Sequence, residues 1–124
     1  MKVVYIAGRF RGPDAWQREL NIRRAEEAAL WVWSIGLVAL CPHTNTRFFD
    51  GALPDHVWLD GDIELLKRCD AILMVNGWQD STGACAEKVV AEQLGLPVFY
   101  EIRGHDLLFW SQRVEAPHVP RCPV

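Results

Sequence analysis

The sequence contains 124 residues, of which 50% are apolar and 23% charged, with a formal net charge of −3. This length and composition fit one soluble globular domain with its own core. The acidic balance excludes the basic surface of a protein that binds nucleic acid polymers. No apolar stretch is long enough to span a bilayer, and Met1-Lys2 leads straight into a strand, so neither a membrane segment nor a signal peptide is expected.

Short apolar runs alternate with longer helical stretches, which favours βαβ units around a parallel sheet. The first run, residues 3–7, is apolar throughout and ends at Gly8, as in a strand buried on both faces. Pro13 and Asp14 then open a long helix, with Asp14 placed as its N-cap, and Gly36 is predicted to end it.

The remaining elements follow the same alternation. We predict strands at residues 37–40, 71–75 and 98–102, helices at 54–69 and 82–94, and a short helix near Trp110. Residues 116–124 are rich in proline and are predicted to form an irregular tail.

No repeat or linker interrupts the chain, so residues 1–124 are predicted to form a single domain. Right-handed crossovers predict an α/β, flavodoxin-like, doubly wound parallel sheet of order 2-1-3-4 inside a three-layer α/β/α architecture. Ligands of such sheets bind beyond the carboxyl ends of the strands, where the winding reverses. The pocket is therefore expected between residues 8–12 and 76–81.

Four cysteines, Cys41, Cys69, Cys85 and Cys122, are scattered without a C-x-x-C pair. They are predicted to be reduced structural thiols of a cytoplasmic protein. No cofactor or metal ion is predicted, because no metal-ligand spacing is present.

The loop after the first strand is a candidate ligand site. Gly8 and Gly12 would let the backbone approach a ligand closely, and Arg9 and Arg11 could meet an anion. A tight turn with solvated arginines explains the same residues.

The start of the helix at residues 82–94 is a second candidate site. Ser81, Thr82 and Gly83 would bring hydroxyls and free N–H groups to a positive helix end, which favours an anion or a phosphate. Capping by Ser81 or Asp80 is the structural alternative, and both roles can hold together.

Two further residues are candidate base contacts. Trp78 lies in the loop before this helix and could stack on a nucleobase. His43 could contact a base, although a solvated loop histidine is the alternative. The other five tryptophans fall mostly on helices and are predicted in the core or at an interface.

Glu87 lies beside Val90 and Leu94 at the edge of a helical apolar stripe. A capping box does not explain it, because the residue three positions earlier is Ala84. A rim glutamate that reaches water is the structural alternative.

Asp62 falls among apolar neighbours of the helix at residues 54–69, so a pocket or a partner is expected there, or else a neighbouring backbone N–H that satisfies it. Tyr5 belongs to the core or has its hydroxyl at the pocket floor. Two carboxylates in one cavity suit glycosyl transfer, in which Glu87 would attack an anomeric carbon while Asp62 orients it or delivers a proton.

As a set, these residues resemble the nucleoside 2-deoxyribosyltransferases and the related 2′-deoxynucleoside 5′-phosphate N-hydrolases. The resemblance covers about the first hundred residues. It is carried by the segments Tyr5-Ile6-Ala7-Gly8, Arg11-Gly12, Asp62-Ile63-Glu64-Leu65-Leu66, Cys69-Asp70 and Ser81-x-Gly83-x-x-x-Glu87. The short, often phage-encoded, deoxyribosyltransferase-like subgroup is the most similar.

The resemblance implies Glu87 as the nucleophile at C1′, Asp62 as its catalytic partner and Tyr5 beside the nucleophile. Ser81 and Gly83 would hold the 5′-phosphate or the 5′-hydroxyl side. The residues lining the sugar and phosphate side would be Gly8, Arg11 and Gly12. The chain departs from the pattern in having Arg9 where the hydrolases often carry Ser, and in the run Cys85-Ala86 before Glu87.

The sequence therefore predicts an enzyme that cleaves or transfers the N-glycosidic bond of a (deoxy)nucleoside or its 5′-monophosphate. The partner is a small-molecule nucleoside or nucleotide, and a homo-oligomer, a dimer or a higher even assembly, is expected. A non-catalytic nucleotide-binding or sensing module is the alternative. A lysine-decarboxylase-like phosphoribohydrolase is disfavoured, because its Pro-Gly-Gly-x-Gly-Thr run is absent.

Overall fold

The computed structural model describes residues 1–113, so the predicted tail at 116–124 and Cys122 lie outside the described residues. Four parallel strands form one sheet in the order β2-β1-β3-β4. Their bounds are β1 Val3–Ala7, β2 Val38–Leu40, β3 Ala71–Met74 and β4 Val98–Tyr100. The predicted fold class and strand order are confirmed.

Within residues 1–113, five α-helices pack around the sheet: α1 Ala15–Ser34, α2 Pro42–Asn45, α3 Asp55–Lys67, α4 Thr82–Gln93 and α5 Gly104–Arg113. The short helix α2 was not predicted, because it occupies a polar segment that reads as a loop. The strand β4 is shorter than predicted, since a 3-10 turn at Glu101–Arg103 follows it directly. None of the described helices has the length and apolar character needed to cross a membrane.

The helix ends follow the chemistry expected of them. The Asp14 side chain accepts the N–H of Gln17 at 2.7 Å and caps α1. Gly36 and Gly95 follow α1 and α4 with φ of 87° and 74°, the left-handed conformation that ends a helix at low cost in glycine.

Alternate residues of β1 face the two helical layers. Val4 and Ile6 belong to the core cluster that includes residues of α1 and α5, whereas Tyr5 and Ala7 belong to the cluster that includes residues of α3 and α4. This alternation is the two-residue period of a strand. It places the Tyr5 side chain on the same side of the sheet as α3 and α4.

The helix α1 packs through small residues. Ala25, Ala28 and Ala29 are buried, while Trp16 and Trp33 are 59% and 53% exposed. Of the two predicted locations, core or interface, the core is excluded for Trp16 and Trp33, because the alanines already occupy the buried face of α1. An interface role for the tryptophans stays a prediction.

Candidate active site

A cavity of about 890 Å³ opens at the carboxyl end of β1, between the loop that follows β1 and the helices α2, α3 and α4. Its volume is in the range of small-molecule sites. Residues 8–13 line one side, as expected from the strand order. Of the predicted second loop only Asp80 and Ser81 line it, and the wall continues into the first turns of α4.

Tyr5 and Glu87 meet behind this cavity. The Tyr5 hydroxyl donates a hydrogen bond to Glu87 Oε2, and the Tyr5 side chain is fully buried. Glu87 lies three residues after Ala84 and four before Ala91, the two buried residues of α4, so its side chain belongs to the inner face of that helix. Glu87 also lines the cavity. The carboxylate is thus oriented by a buried donor and open to a ligand.

Burial sets the proton affinity of both partners. It raises the pKa of Glu87 to about 7; the hydrogen bond from Tyr5 acts to lower that pKa, and the negative charge of Asp62 raises it further. The pKa of Tyr5 is raised, first by burial and then by Glu87, so the phenol keeps its proton and acts as a donor. Glu87 therefore titrates near neutral pH.

Asp62 faces the same cavity from α3. It is half-buried, and this burial raises its pKa to about 6. Among the residues of α3 only Leu66 is buried, and Leu59 is 55% exposed. Asp62 therefore does not lie at the centre of a buried face, as the apolar neighbours suggested, but at the wall of a cavity. The two carboxylates of the sequence prediction are brought to one site.

A second, smaller cavity of about 410 Å³ shares Thr46, Trp58 and Asp62 with the first. Asp62 therefore lines both cavities.

The loop after β1 is held by a buried asparagine of α1. Asn21 Nδ2 donates to the carbonyl oxygens of Phe10 at 3.2 Å and Arg11 at 3.3 Å. Its oxygen accepts from Gln17 Nε2 at 3.1 Å. Periodicity did not reveal Asn21, although a buried amide on an alanine-rich helix face could have indicated a backbone partner.

Close packing within the protein requires glycine at both positions 8 and 12 of this loop. A Cβ on Gly8 would lie 3.0 Å from the Cβ of Val75, and a Cβ on Gly12 would lie 2.6 Å from Cγ of Gln17. Both glycines line the cavity, as predicted, but close packing within the chain already accounts for them.

The arginines stand at the cavity mouth. Arg9 Nε donates to the carbonyl of Arg11 at 3.0 Å. Arg11 forms an exposed ion pair of 2.5 Å with Asp55, which also lines the cavity. Arg9 and Arg11 are both placed to meet an anionic ligand, and Arg11 would exchange a carboxylate partner for it.

The N-terminus of α4 forms another part of the wall. The Ser81 hydroxyl accepts the N–H of Ala84 at 3.1 Å, so the capping role is present. The first N–H groups of a helix have no intrahelical acceptor, and Thr82 and Gly83 supply them beside the cavity. A Cβ on Gly83 would meet only Ser81 Oγ, at 3.9 Å. This glycine thus leaves room for a ligand rather than for protein.

His43 lies on α2, not in a solvated loop. It is 8% exposed, lines the cavity, and meets Phe10 edge-on at 5.4 Å between ring centroids. Burial lowers its pKa, with the backbone of Arg9 and Gly8 acting in the opposite direction.

Trp78 lies outside the cavity, although the sequence predicted it at the ligand site. It is not among the residues that line the cavity; its ring packs 5.8 Å from that of Tyr100, with the Lys88 ammonium 5.6 Å from its centroid. The 3-10 turn that begins after Gly77 carries Trp78 toward β4. The tryptophan that does line the cavity is Trp58, on α3.

In the part of the chain described here, no group of three or more His, Cys, Asp and Glu side chains could hold a metal ion. Cys41, Cys69 and Cys85 are free thiols.

One family model matches the sequence, over residues 2–100, and its description is "Domain of unknown function (DUF4406)". The match runs from the residue before β1 to the end of β4, so every candidate site residue lies inside it. No curated protein matches the chain.

Proposed function

The chain belongs to the DUF4406 family, and we propose that it cleaves or transfers the N-glycosidic bond of a (deoxy)nucleoside or its 5′-monophosphate. In this proposal Glu87 is the nucleophile. We also propose that the chain is related to the nucleoside 2-deoxyribosyltransferase superfamily. The observation that carries the proposal is the hydrogen bond from the buried Tyr5 to Glu87, which lines the same cavity as Asp62.

In the first step, the Glu87 carboxylate attacks C1′ of the sugar. A C1′–O bond forms and the C1′–N bond breaks, with its electron pair leaving on the base. Asp62, whose pKa of about 6 is raised above that of a solvated carboxyl, delivers a proton to the departing base. The sugar is then held as an ester of Glu87.

In the second step, the acceptor releases the ester. Water, or the ring nitrogen of a second base, attacks C1′ and returns the electron pair of the C1′–O bond to Glu87. Asp62 accepts the proton that the acceptor loses. Hydrolysis and base exchange thus differ only in the acceptor.

Tyr5 has a positioning role. Its hydrogen bond fixes one oxygen of Glu87 and lowers the pKa of that carboxyl, which favours the ionised nucleophile. Because the phenol stays protonated, it remains a donor throughout.

In this proposal a 5′-phosphate binds between the α4 N-terminus and the loop after β1, which line the same cavity. Ser81, Thr82 and Gly83 provide a helix end that favours an anion. Arg9 and Arg11 add positive charge at the mouth of the same cavity. This arrangement supports a nucleoside 5′-monophosphate as the preferred substrate.

The test is to incubate the purified protein with a panel of deoxynucleosides and their 5′-monophosphates, each with and without a second base. Chromatography would follow the free base and any new nucleoside. Release of base without a second base indicates hydrolysis, and a new nucleoside indicates transfer. If Glu87→Ala releases base as fast as the wild type, Glu87 is not the nucleophile.

A non-catalytic nucleotide-binding module is the second candidate. It is favoured by the pKa of Glu87 near 7, because a large share of this carboxyl is then protonated at neutral pH and unreactive as a nucleophile. A thermal melt that rises with a nucleotide, in the absence of any turnover, would identify this function.

A further inference from the structure

Asn21 is a buried amide on a helix face that otherwise packs through apolar side chains. It is 4% exposed, and the other buried residues of α1 are Ile22, Ala25, Ala28, Ala29 and Val32. Asparagine is less favourable than alanine inside a helix, and burial of an amide is unfavourable unless the amide is hydrogen-bonded. The presence of Asn21 is therefore explained by its hydrogen bonds and not by the packing of the core.

The hydrogen bonds of Asn21 hold the middle of the loop after β1. Its Nδ2 donates to the carbonyl oxygens of Phe10 and Arg11, and its Oδ1 accepts from Gln17. Two carbonyl oxygens require a donor, so the NH2 end of the amide faces the loop. The donor and the acceptor of this side chain are both satisfied.

The two ends of the same loop are held by close packing. A Cβ on Gly8 would lie 3.0 Å from the Cβ of Val75, and a Cβ on Gly12 would lie 2.6 Å from Cγ of Gln17. Together with the bonds from Asn21, these contacts hold the loop at both ends and in the middle. A shift of its backbone would break at least one of them.

The carbonyl oxygen of Arg11 connects Asn21 to the positive charge at the cavity mouth. This oxygen accepts from Asn21 Nδ2 at 3.3 Å and from Arg9 Nε at 3.0 Å. Arg9 lines the cavity and uses only Nε in this bond, which leaves its two terminal nitrogens to donate to an anion. Asn21 therefore acts on the Arg9 guanidinium through one shared backbone oxygen.

Arg11 has a fixed backbone and an exchangeable side chain. Its guanidinium pairs with Asp55, and the two side chains are 63% and 58% exposed. Exposed ion pairs contribute little to stability, so an anionic ligand can replace Asp55 at low cost. The carbonyl of Arg11, in contrast, is held by the buried Asn21.

A guanidinium whose orientation is set before binding loses less conformational freedom when it meets a phosphate. We propose that Asn21 is a positioning residue, which fixes the carbonyl of Arg11 and thereby sets Arg9 and Arg11 for the 5′-phosphate of the substrate. This inference rests on the proposed function. It adds a residue that does not line the cavity to those that do.

The test compares two ligands on one protein by calorimetric titration, with Glu87→Gln in every protein so that neither ligand is consumed. The ligands are the tightest binder of the four common deoxynucleoside 5′-monophosphates and the deoxynucleoside with the same base. The ratio of their association constants measures the contribution of the phosphate. Asn21→Leu keeps the size of the side chain without its donor. It should lower this ratio about tenfold, the scale of one hydrogen bond to a charged group, and leave the affinity for the nucleoside unchanged.

A double-mutant cycle separates positioning from a merely structural role. In a protein that also carries Arg9→Gln and Arg11→Gln, Asn21→Leu should leave the ratio unchanged, because the groups that Asn21 positions are gone. Asn21→Ala, which matches the alanines of the same helix face, is the second variant and should lower the ratio in the same way. Val32→Ala is the control, because it removes buried volume three turns further along α1 and should lower stability without changing the ratio.

Three results would overturn the positioning role: an unchanged ratio in the folded Asn21 variants, an equal loss of affinity for both ligands, or the same fall in the ratio with and without the two arginines. A 5′-phosphate that adds no affinity to the parent protein would also remove the role. If the wild type releases base in any of these cases, the positioning role fails alone.

The proposed function can also fail separately. A protein that releases no base, but loses phosphate affinity in the Asn21 variants as expected, would keep the positioning role in a nucleotide site without catalysis. If the wild type neither binds these ligands nor releases base, the proposed function fails and the positioning role fails with it.

Discussion

The phenol of Tyr5 and the carboxyl of Glu87 lie 82 positions apart in the chain and form a hydrogen bond beside an open cavity. The two-residue period of β1 turns Tyr5 toward α3 and α4, and the helical period of α4 turns Glu87 toward Tyr5. A buried phenol that orients a carboxyl with a pKa near 7 is an arrangement suited to chemistry more than to folding.

The plot of kcat/KM against pH should be bell-shaped. The reactive form has Glu87 ionised and Asp62 protonated, whereas the pKa of Glu87 is about 7 and that of Asp62 about 6. The form with Glu87 ionised and Asp62 protonated is therefore a minor one. The value of kcat/KM should rise with pH near pH 6 and fall near pH 7. Each of these two limits is an apparent pKa of the interacting pair and not of one residue. A profile that is flat from pH 5 to pH 8 would contradict this assignment.

Tyr5→Phe should move the upper limb of this profile to higher pH. The Tyr5 hydrogen bond lowers the pKa of Glu87, so its removal raises that pKa and reduces the ionised fraction. If the pKa of Glu87 rises by roughly one unit, its ionised fraction and the maximal kcat/KM should each fall by about tenfold. Tyr100→Phe is the control, because Tyr100 packs on Trp78 outside the cavity and should change neither limb.

Asp62→Asn should leave a single rising limb. The substitution removes the proton donor and also removes the negative charge that raises the pKa of Glu87, so the remaining limb should lie below pH 7. The rate should fall by 10²-fold or more, in the range of general acid catalysis. A variant that keeps the wild-type rate and both limbs would exclude Asp62 from the proton transfer.

Glu87→Gln should stabilise the protein at high pH. The pKa of Glu87 rises from an ordinary 4.5 to about 7 on folding, so the folded state favours the protonated acid. The wild type is then most stable below pH 4.5 and loses stability as the pH rises through 7, by up to ~3 kcal/mol. The Gln variant has no such loss, and its advantage in urea denaturation should be largest at pH 8 and vanish near pH 4.

Glu64→Gln is the matched control for this measurement, because Glu64 is exposed on the neighbouring helix and should show no pH-dependent advantage. An advantage of Glu87→Gln that is equal at pH 4 and pH 8 would mean that the carboxyl is not held in a desolvated site.

Gly83→Ala should separate binding from stability. The added Cβ would meet only Ser81 Oγ at 3.9 Å, so the melting temperature should stay within a degree or two of the wild type. A 5′-phosphate at the α4 N-terminus would be obstructed, and KM for the 5′-monophosphate should rise about tenfold while that for the nucleoside changes little. Equal effects on both substrates would place the phosphate elsewhere.

The assembly state is a further prediction. Leu30 and Trp33, one turn apart on α1, are 70% and 53% exposed and place two large apolar side chains side by side on the surface. We expect an even assembly by light scattering, and Leu30→Arg with Trp33→Glu should shift it toward monomer. Gln112→Glu, exposed on α5, is the control. A wild type that is monomeric at all concentrations would leave these residues without this role.

The sequence allowed prediction of what depends on local period and on handedness. The alternation in β1, the caps at Asp14 and Gly36, and the strand order that right-handed crossovers require are all present in the structure. The positions of Asp62 and Glu87 on the inner sides of their helices were also accessible, because helical spacing carries that information.

The rest depends on contacts between distant residues. Asn21 bonds to a carbonyl 11 positions earlier, which no periodicity encodes. His43 is buried and meets the ring of Phe10, which lies 33 positions earlier in the chain. The orientation of Trp78 depends on the turn after Gly77, whose φ of 92° cannot be read from the residue type alone. Such features need the folded chain.

The central claim is covalent catalysis by Glu87, and rapid quenching followed by mass spectrometry tests it most directly. After mixing with a deoxynucleoside 5′-monophosphate that the protein cleaves, the peptide containing Glu87 should gain the mass of the deoxyribosyl phosphate, and Glu87→Ala should show neither the adduct nor base release. Base release by Glu87→Ala at the wild-type rate, with no adduct on the wild-type peptide, would contradict the claim.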